Sequence, residues 1–191
     1  MRRHLSKERK LRLGLQWAVS GELNGDLVIL AANGPGPLLA RYAAQAIGEV
    51  GNLTALVSYG FCGALNPALS LNDIVLGGVL SIDRVVVTAA EKAELRASGA
   101  DAIEMEAAGV AAYATEREIP LFYARVVTDT ATEDLPFDFN LVRDAQGRFS
   151  RAKILAQAAL SPRLFPRLIE FNHRVKAASN ALGDFVAHHR F

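Results

Sequence analysis

The chain has a single cysteine, Cys62, so it can form no internal disulfide, and its four histidines make no CxxC or Cys/His cluster of zinc-type spacing with it. A reducing cytoplasm is the expected compartment, with no metal and no cofactor. No run of about 18 apolar residues occurs, so nothing is expected to span a membrane. Met1 to Leu13 is basic, but the next segment, Gly14 to Gly21, is too short and too polar for a signal-peptide core. That basic start is expected to be a solvated helix or a frayed terminus. Excess charge is absent as well: 21 basic side chains face 20 acidic ones. No whole-molecule field would draw the chain to nucleic acid or to an anionic membrane, so recognition has to come from a local site.

What is present is enough apolar sequence for a sizeable core: 51% of 191 residues are hydrophobic and 21% charged, which predicts one domain over 1–191. The run DLVILAA (Asp26 to Ala32) reads as a buried strand of a mostly parallel sheet, ending at Asn33-Gly34-Pro35-Gly36. Leu38 to Val50 reads as an Ala-rich helix and Asn52 to Tyr59 as a second strand, together a right-handed βαβ unit. Extended structure over Asp73 to Ile82 comes next, then a helix over Ala89 to Ala97, a short strand over Ala102 to Met105, a helix over Glu106 to Arg117 and a strand over Pro120 to Val127. A polar loop, Thr128 to Gly147, leads into helical sequence from about Phe149, with Pro162 and Pro166 at helix starts or a bend. The predicted fold is α/β: three-layer αβα around a central mixed, mostly parallel sheet.

Three segments put polar residues or glycine where a strand ends, the edge at which open α/β sheets bind ligands. In SYGFCGAL, Gly60 and Gly63 bracket a turn in which a missing Cβ lets a ligand approach the backbone, or in which glycine merely serves the turn. In EMEAA, Glu106 opens a helix. Its carboxylate can accept two coplanar hydrogen bonds, as a pair of ribose hydroxyls would give, or simply cap the helix. In RVVTDTA, Asp129 lies beyond a strand that carries Arg125. It is either a buried general acid or an Asx-turn residue.

The order and spacing of these segments resemble the purine nucleoside phosphorylase, methylthioadenosine and adenosylhomocysteine nucleosidase family. GFCGALNPALSLNDIVLGG is similar to that family's glycine turn and "GDIV" strand, EMEAAGVAAYATEREIP to its ribose-binding "EMEA" helix, and RVVTDTA to its "R-x-x-S-D-x-A" strand end. The resemblance implies a nucleoside phosphorylase-like fold and cleavage of a purine N-glycosidic bond. It assigns Asp129 to protonation of purine N7, Glu106 to the ribose hydroxyls, and Met105 to packing on the sugar. Val85 and Val86 fall at the base, and Gly60, Phe61, Cys62, Gly63 and Arg125 support the pocket. Phe137 is either apolar cover for the nucleoside or ordinary core. SIDRVVVTAAEKAEL is most similar to the hopanoid-associated branch of the family, thought to act on an adenosyl lipid precursor.

Other features depart from the family pattern. The segment MRRHLSKERKLRLGLQW resembles the stretch after the family's first strand, and neither Glu8 nor Glu22 comes after an apolar strand as the family's water-activating glutamate does. Ser58 and Phe61 stand where phosphorylases carry an arginine and a serine, which disfavours phosphate as a co-substrate. The sequence therefore predicts a nucleosidase rather than a phosphorylase acting on a purine nucleoside or adenosine derivative. Its alternatives are a nucleoside-binding protein without turnover and a shortened form of a longer nucleosidase. Homodimerisation is the expected cover for an exposed sheet edge.

Overall fold

The computed structural model describes residues 1–144, 147–150, 152–154, 156 and 164–191. Its first departure from the sequence-based expectation is at Asn24-Gly25. Both residues take positive φ, 54° and 95°, and they close a two-residue hairpin between Leu23 and Asp26. Asn-Gly favours such a turn because its twist matches that of the flanking strands. The turn folds β3 (Asp26–Ala32) back on β2 (Trp17–Leu23), and β1 (Ser6–Lys10) pairs with the other edge of β2. The result is a three-stranded antiparallel sheet in the order β1-β2-β3. β3 thus keeps its predicted bounds but not its predicted place. It is an edge strand whose Leu27 is 78% exposed, not a strand buried in a parallel sheet. The basic start is one 3-10 turn (Arg2–His4) and then the exposed strand β1, so the expected solvent exposure holds but the segment is mainly a paired strand rather than a helix or frayed end.

Helix α1 (Pro37–Gly48) starts after Gly36, which has φ 100°, and uses Pro37 at its first position, where a missing N–H costs nothing. It leads into β4 (Leu56–Ala64), which lies in a different sheet from β3. The expected βαβ unit therefore does not form. The second sheet also holds β5 (Ile74–Val75), β6 (Val79–Ser81), β7 (Ala102–Glu104) and β8 (Leu121–Asp129), in the order β5-β8-β4-β7-β6. β4 runs parallel to β8, and β6 to β7, while β4/β7 and β5/β8 are antiparallel. The sheet is mixed, with its pairings evenly divided rather than mostly parallel. The architecture is α/β, a mixed sheet accompanied by a small antiparallel one. β4 also continues through Gly60 and Gly63 as strand, so these glycines do not bracket a turn.

β8 is the axis of the core: Ala124, Val126 and Val127 are wholly buried. Alternate side chains of a strand point to opposite faces. Ala124 and Val126 accordingly meet Ala178, Leu182 and Val186 of the helix α4 (Leu164–His188), while Val127 packs with Cys62, Ala64, Val75 and Ala102. The i, i+4 spacing of the α4 residues makes one apolar stripe, and burying Leu182 and Val186 contributes roughly 1.5–3 kcal/mol each. Pro166 lies inside α4, and Pro162 lies outside the described residues. Among the described residues, no helix is long and apolar enough to cross a membrane.

Two further helices are α2 (Ala89–Leu95) and α3 (Ala107–Glu116). α1 and α3 touch through glycine: a Cβ on Gly109 would lie 1.9 Å from the Pro37 carbonyl oxygen. Because that neighbour is backbone, relief requires the helices to separate. Gly109→Ala is expected to cost on the order of 1–3 kcal/mol, read as a lower urea midpoint. Gly51→Ala, at a position with nothing within 4 Å of the added carbon, is the control and should leave the midpoint in place.

Candidate functional site

Two carboxylates lie at the junction of β7 and α3, and the structure separates their tasks. Glu104 Oε2 accepts from the backbone N–H of Glu106 at 2.9 Å and of Ala107 at 2.8 Å, so Glu104 satisfies the exposed donors at the start of α3. Glu106 occupies the N-cap position of α3 but makes no side-chain cap bond. Its Oε1 instead accepts from the Gly36 N–H at 3.1 Å, at the start of α1. The capping alternative for Glu106 is thereby answered by its neighbour two residues earlier.

Arg125 of β8 holds Glu104 in place. Its Nη2 donates to Glu104 Oε2 at 2.8 Å and its Nε at 3.2 Å. The other bonds go to Ser58 Oγ at 2.8 Å, to the Ser58 carbonyl and to the Ala124 carbonyl at 3.2 Å. A guanidinium has five N–H donors, and these contacts occupy all of them. Both partners are essentially inaccessible, at 1% and 0% side-chain exposure. Among the described residues, the buried Glu104 Oε1 has no hydrogen-bond partner.

Asp129 is the last residue of β8, not a residue beyond the strand. The register of β4 against β8 slips here: Cys62 faces Val127 while Gly63 faces Asp129, leaving Thr128 as the extra residue. Such bulges re-aim a side chain beside a site. The Thr128 hydroxyl donates to Asp129 Oδ1 at 2.8 Å, and Lys92 of α2 reaches Asp129 Oδ2 at 2.6 Å. Gly63 is required by this carboxyl, since a Cβ there would stand 2.7 Å from Asp129 Oδ2.

Burial raises the pKa of both acids above the ordinary carboxylate range. For Asp129 burial outweighs the opposing Lys92 charge, and for Glu106 it outweighs the Gly36 hydrogen bond. The Cys62 thiol is pushed up to about 12 by burial and then by the charge of Asp129, so it stays protonated.

Asp129, Glu106, Met105, Val85, Val86 and the stretch Gly60 to Gly63 all line one cavity of about 1110 Å³. Two residues expected there do not line it. Arg125 lies behind the wall, consumed by Glu104 and Ser58. Phe137 stacks edge-on against Phe139, with ring centroids 5.5 Å apart, and Phe139 is the ring that lines the cavity. Sequence reasoning also missed Lys92 and Asn140. The Asn140 side chain accepts from the Val85 N–H and donates to the Val85 carbonyl, both at 2.8 Å, and so fixes the segment next to Val86. Asn140 gave no local signal because its partner is 55 residues away.

Residues 77–160 match the phosphorylase superfamily. No curated protein matches the chain. In fold the chain is similar to 5′-methylthioadenosine/S-adenosylhomocysteine nucleosidase from Neisseria meningitidis, solved with methylthio-immucillin-A. The TM-score is 0.73 at 21% identity, over 97% of this chain and 90% of that one. The corresponding Colwellia psychrerythraea 34H nucleosidase, solved with adenine, gives TM-score 0.63 at 16% identity over 68% and 76% of the two chains. Futalosine hydrolase of Helicobacter pylori gives 0.59 at 16% identity over 66% and 76%.

The raised Glu106 pKa has a stability consequence. Between the ordinary glutamate range and the raised value, the folded chain binds more protons than the unfolded one, so stability falls as pH rises through that window. Glu106→Gln is expected to flatten this slope, leaving the part that the raised Asp129 pKa contributes, and to be at least as stable as the parent at neutral pH. Urea unfolding between about pH 4 and 8 measures it.

Proposed function

We propose that this chain binds a purine nucleoside and breaks its N-glycosidic bond, by hydrolysis rather than phosphorolysis. The observation that carries the reading is one cavity lined by two carboxyls, the buried Asp129 and the half-buried Glu106, delivered by different strand ends and both with raised proton affinity. Perturbed acids converging on a cavity are the physical mark of acid–base chemistry.

In this reading purine N7 sits at Asp129, whose proton passes to N7 as the C1′–N9 electron pair moves to the base. Ribose develops oxocarbenium character, water oxygen bonds to C1′, and the water proton leaves to solvent. Glu106 accepts from the ribose hydroxyls, with Met105 against the sugar. Val85 and Val86 bound the base, the former held by Asn140. Phosphorolysis is disfavoured because the Arg125 donors are all taken and the Ser58 hydroxyl is one of their acceptors. At about 1110 Å³ the cavity is slightly larger than the roughly 300–1,000 Å³ usual for small-molecule sites. Phe139, Phe149 and Phe171 on its wall support an adenosine derivative with an apolar 5′ group.

One observation favours binding without turnover. Neither Glu8 nor Glu22 lines the cavity; they pair with Arg2 and Lys7 instead. An assay of adenine release from adenosine derivatives, with and without phosphate, separates the readings. Phosphate-independent release is expected, with a loss of roughly 10²–10⁴-fold in Asp129→Asn. By calorimetry Glu106→Ala should weaken adenosine while leaving adenine binding largely unchanged. Binding with no release would establish the non-catalytic reading, and neither binding nor release would overturn both.

A further inference from the structure

Lys92 is a charged side chain outside the predicted constellation and in direct contact with it. It lies on α2 with its side chain at 0% exposure. An ammonium has three donors, and three acceptors meet them: Asp129 Oδ2 at 2.6 Å, the Thr130 carbonyl at 2.7 Å and the Glu133 carbonyl at 3.0 Å. All three belong to the end of β8 and the loop after it. A single side chain from α2 therefore ties down the whole segment that presents Asp129. α2 is itself anchored, since the Thr88 hydroxyl caps its first turn by accepting from the Glu91 N–H at 3.2 Å.

We propose that Lys92 is the positioning residue for Asp129, holding the carboxyl at the cavity wall and stabilising the negative charge that appears on it when its proton leaves. The role of Asp129 in proton donation is that of the function proposed above, and the inference rests on it. Burial alone would make Asp129 a reluctant acid: it would bind a proton but be slow to release one. An ammonium at 2.6 Å counters that, because the carboxylate left after transfer to N7 is already ion-paired. Reprotonation by solvent then closes the cycle.

The other groups around Asp129 do not substitute for Lys92. From its own strand Thr128 supplies a neutral hydroxyl, and from β4 Cys62 supplies a protonated thiol. Glu133, in the loop after β8, is an anion paired with Arg174 of α4 at 2.9 Å and would oppose ionisation of Asp129. Among the described residues, Lys92 is the cation in direct contact.

Carbon-13 NMR titration of the Asp129 carboxyl, assigned with Asp129→Asn, tests this without ligand. Lys92→Met keeps an unbranched side chain but removes the charge. It should move the Asp129 midpoint upward by roughly one to three pH units, the usual effect of losing an opposite charge at contact. The pH above which adenine affinity falls should move with it. A purely structural lysine would lower affinity or stability without moving either midpoint, and an unmoved midpoint overturns the inference. Should Lys92→Met not fold, the nitrogen-15 signal of the parent Lys92 ammonium must change at the pH where Asp129 titrates. A signal indifferent to that titration also overturns it. If the parent protein binds no adenine while the Asp129 midpoint shifts as expected, the proposed function fails and the Lys92–Asp129 coupling stands.

Discussion

The buried pair between Arg125 and Glu104 is the contact on which the rest of the site depends. Two charges taken out of water are costly unless every donor and acceptor is met, and losing one partner from such a pair typically costs about 3–5 kcal/mol. Here the five Arg125 donors are met and Glu104 is met at Oε2, which weaves the pair into the backbone. Arg125 spans from β8 to the Ser58 carbonyl and hydroxyl on β4, while Glu104 ends β7 and collects two N–H donors from the start of α3. Four elements are thus fixed by two side chains. Because Glu104 supplies the cap, Glu106 is released from it and can turn to the cavity.

Desolvation raises the proton affinity of both cavity acids, the buried Asp129 and the half-buried Glu106, but they differ in company. Asp129 has a cation at one oxygen and a hydroxyl at the other, so both its charged and its protonated forms have partners. Glu106 has a backbone N–H from the start of a helix, which favours negative charge without supplying a proton. Paired acids whose surroundings differ are how one site holds a proton donor and an acceptor at the same pH. In the function proposed above, Asp129 is accordingly the donor to the leaving base and Glu106 the acceptor from neutral hydroxyls.

Legibility in the sequence tracked the range of the interactions. Bounds set by local periodicity came through well: β3 matched residue for residue, and α3 differed from its expected span by one residue at each end. Placement did not, because which sheet a strand joins depends on partners elsewhere in the chain. Asn24-Gly25 was the readable exception, a hairpin signal between two apolar runs that would have moved β3 to the antiparallel sheet. The candidate acids were visible because each sits in a motif with its own spacing. Their supports were not. Lys92 reads as an ordinary lysine in an alanine-rich helix, and its partner Thr130 lies 38 residues on. Phe137 and Phe139 are indistinguishable in LPFDF until packing decides which ring faces the cavity.

Glycine shows where the fold yields to the site. At Gly63 a side chain would collide with the Asp129 carboxyl, and at Gly36 with the Asp83 carboxyl at 2.8 Å, the same Gly36 whose N–H holds Glu106. Glycine in a strand loses packing and conformational entropy, so β4 is weakened by Gly60 at its centre and Gly63 near its end. The compensation comes from β8, which pairs with β4 from Leu56 to Gly63 and is itself buried under α4. A strand that lines the cavity is held by its neighbour in the sheet. The buried charges accordingly enter from β8, β7 and α2 rather than from β4: the weaker strand forms the wall, and its neighbours carry the charged groups.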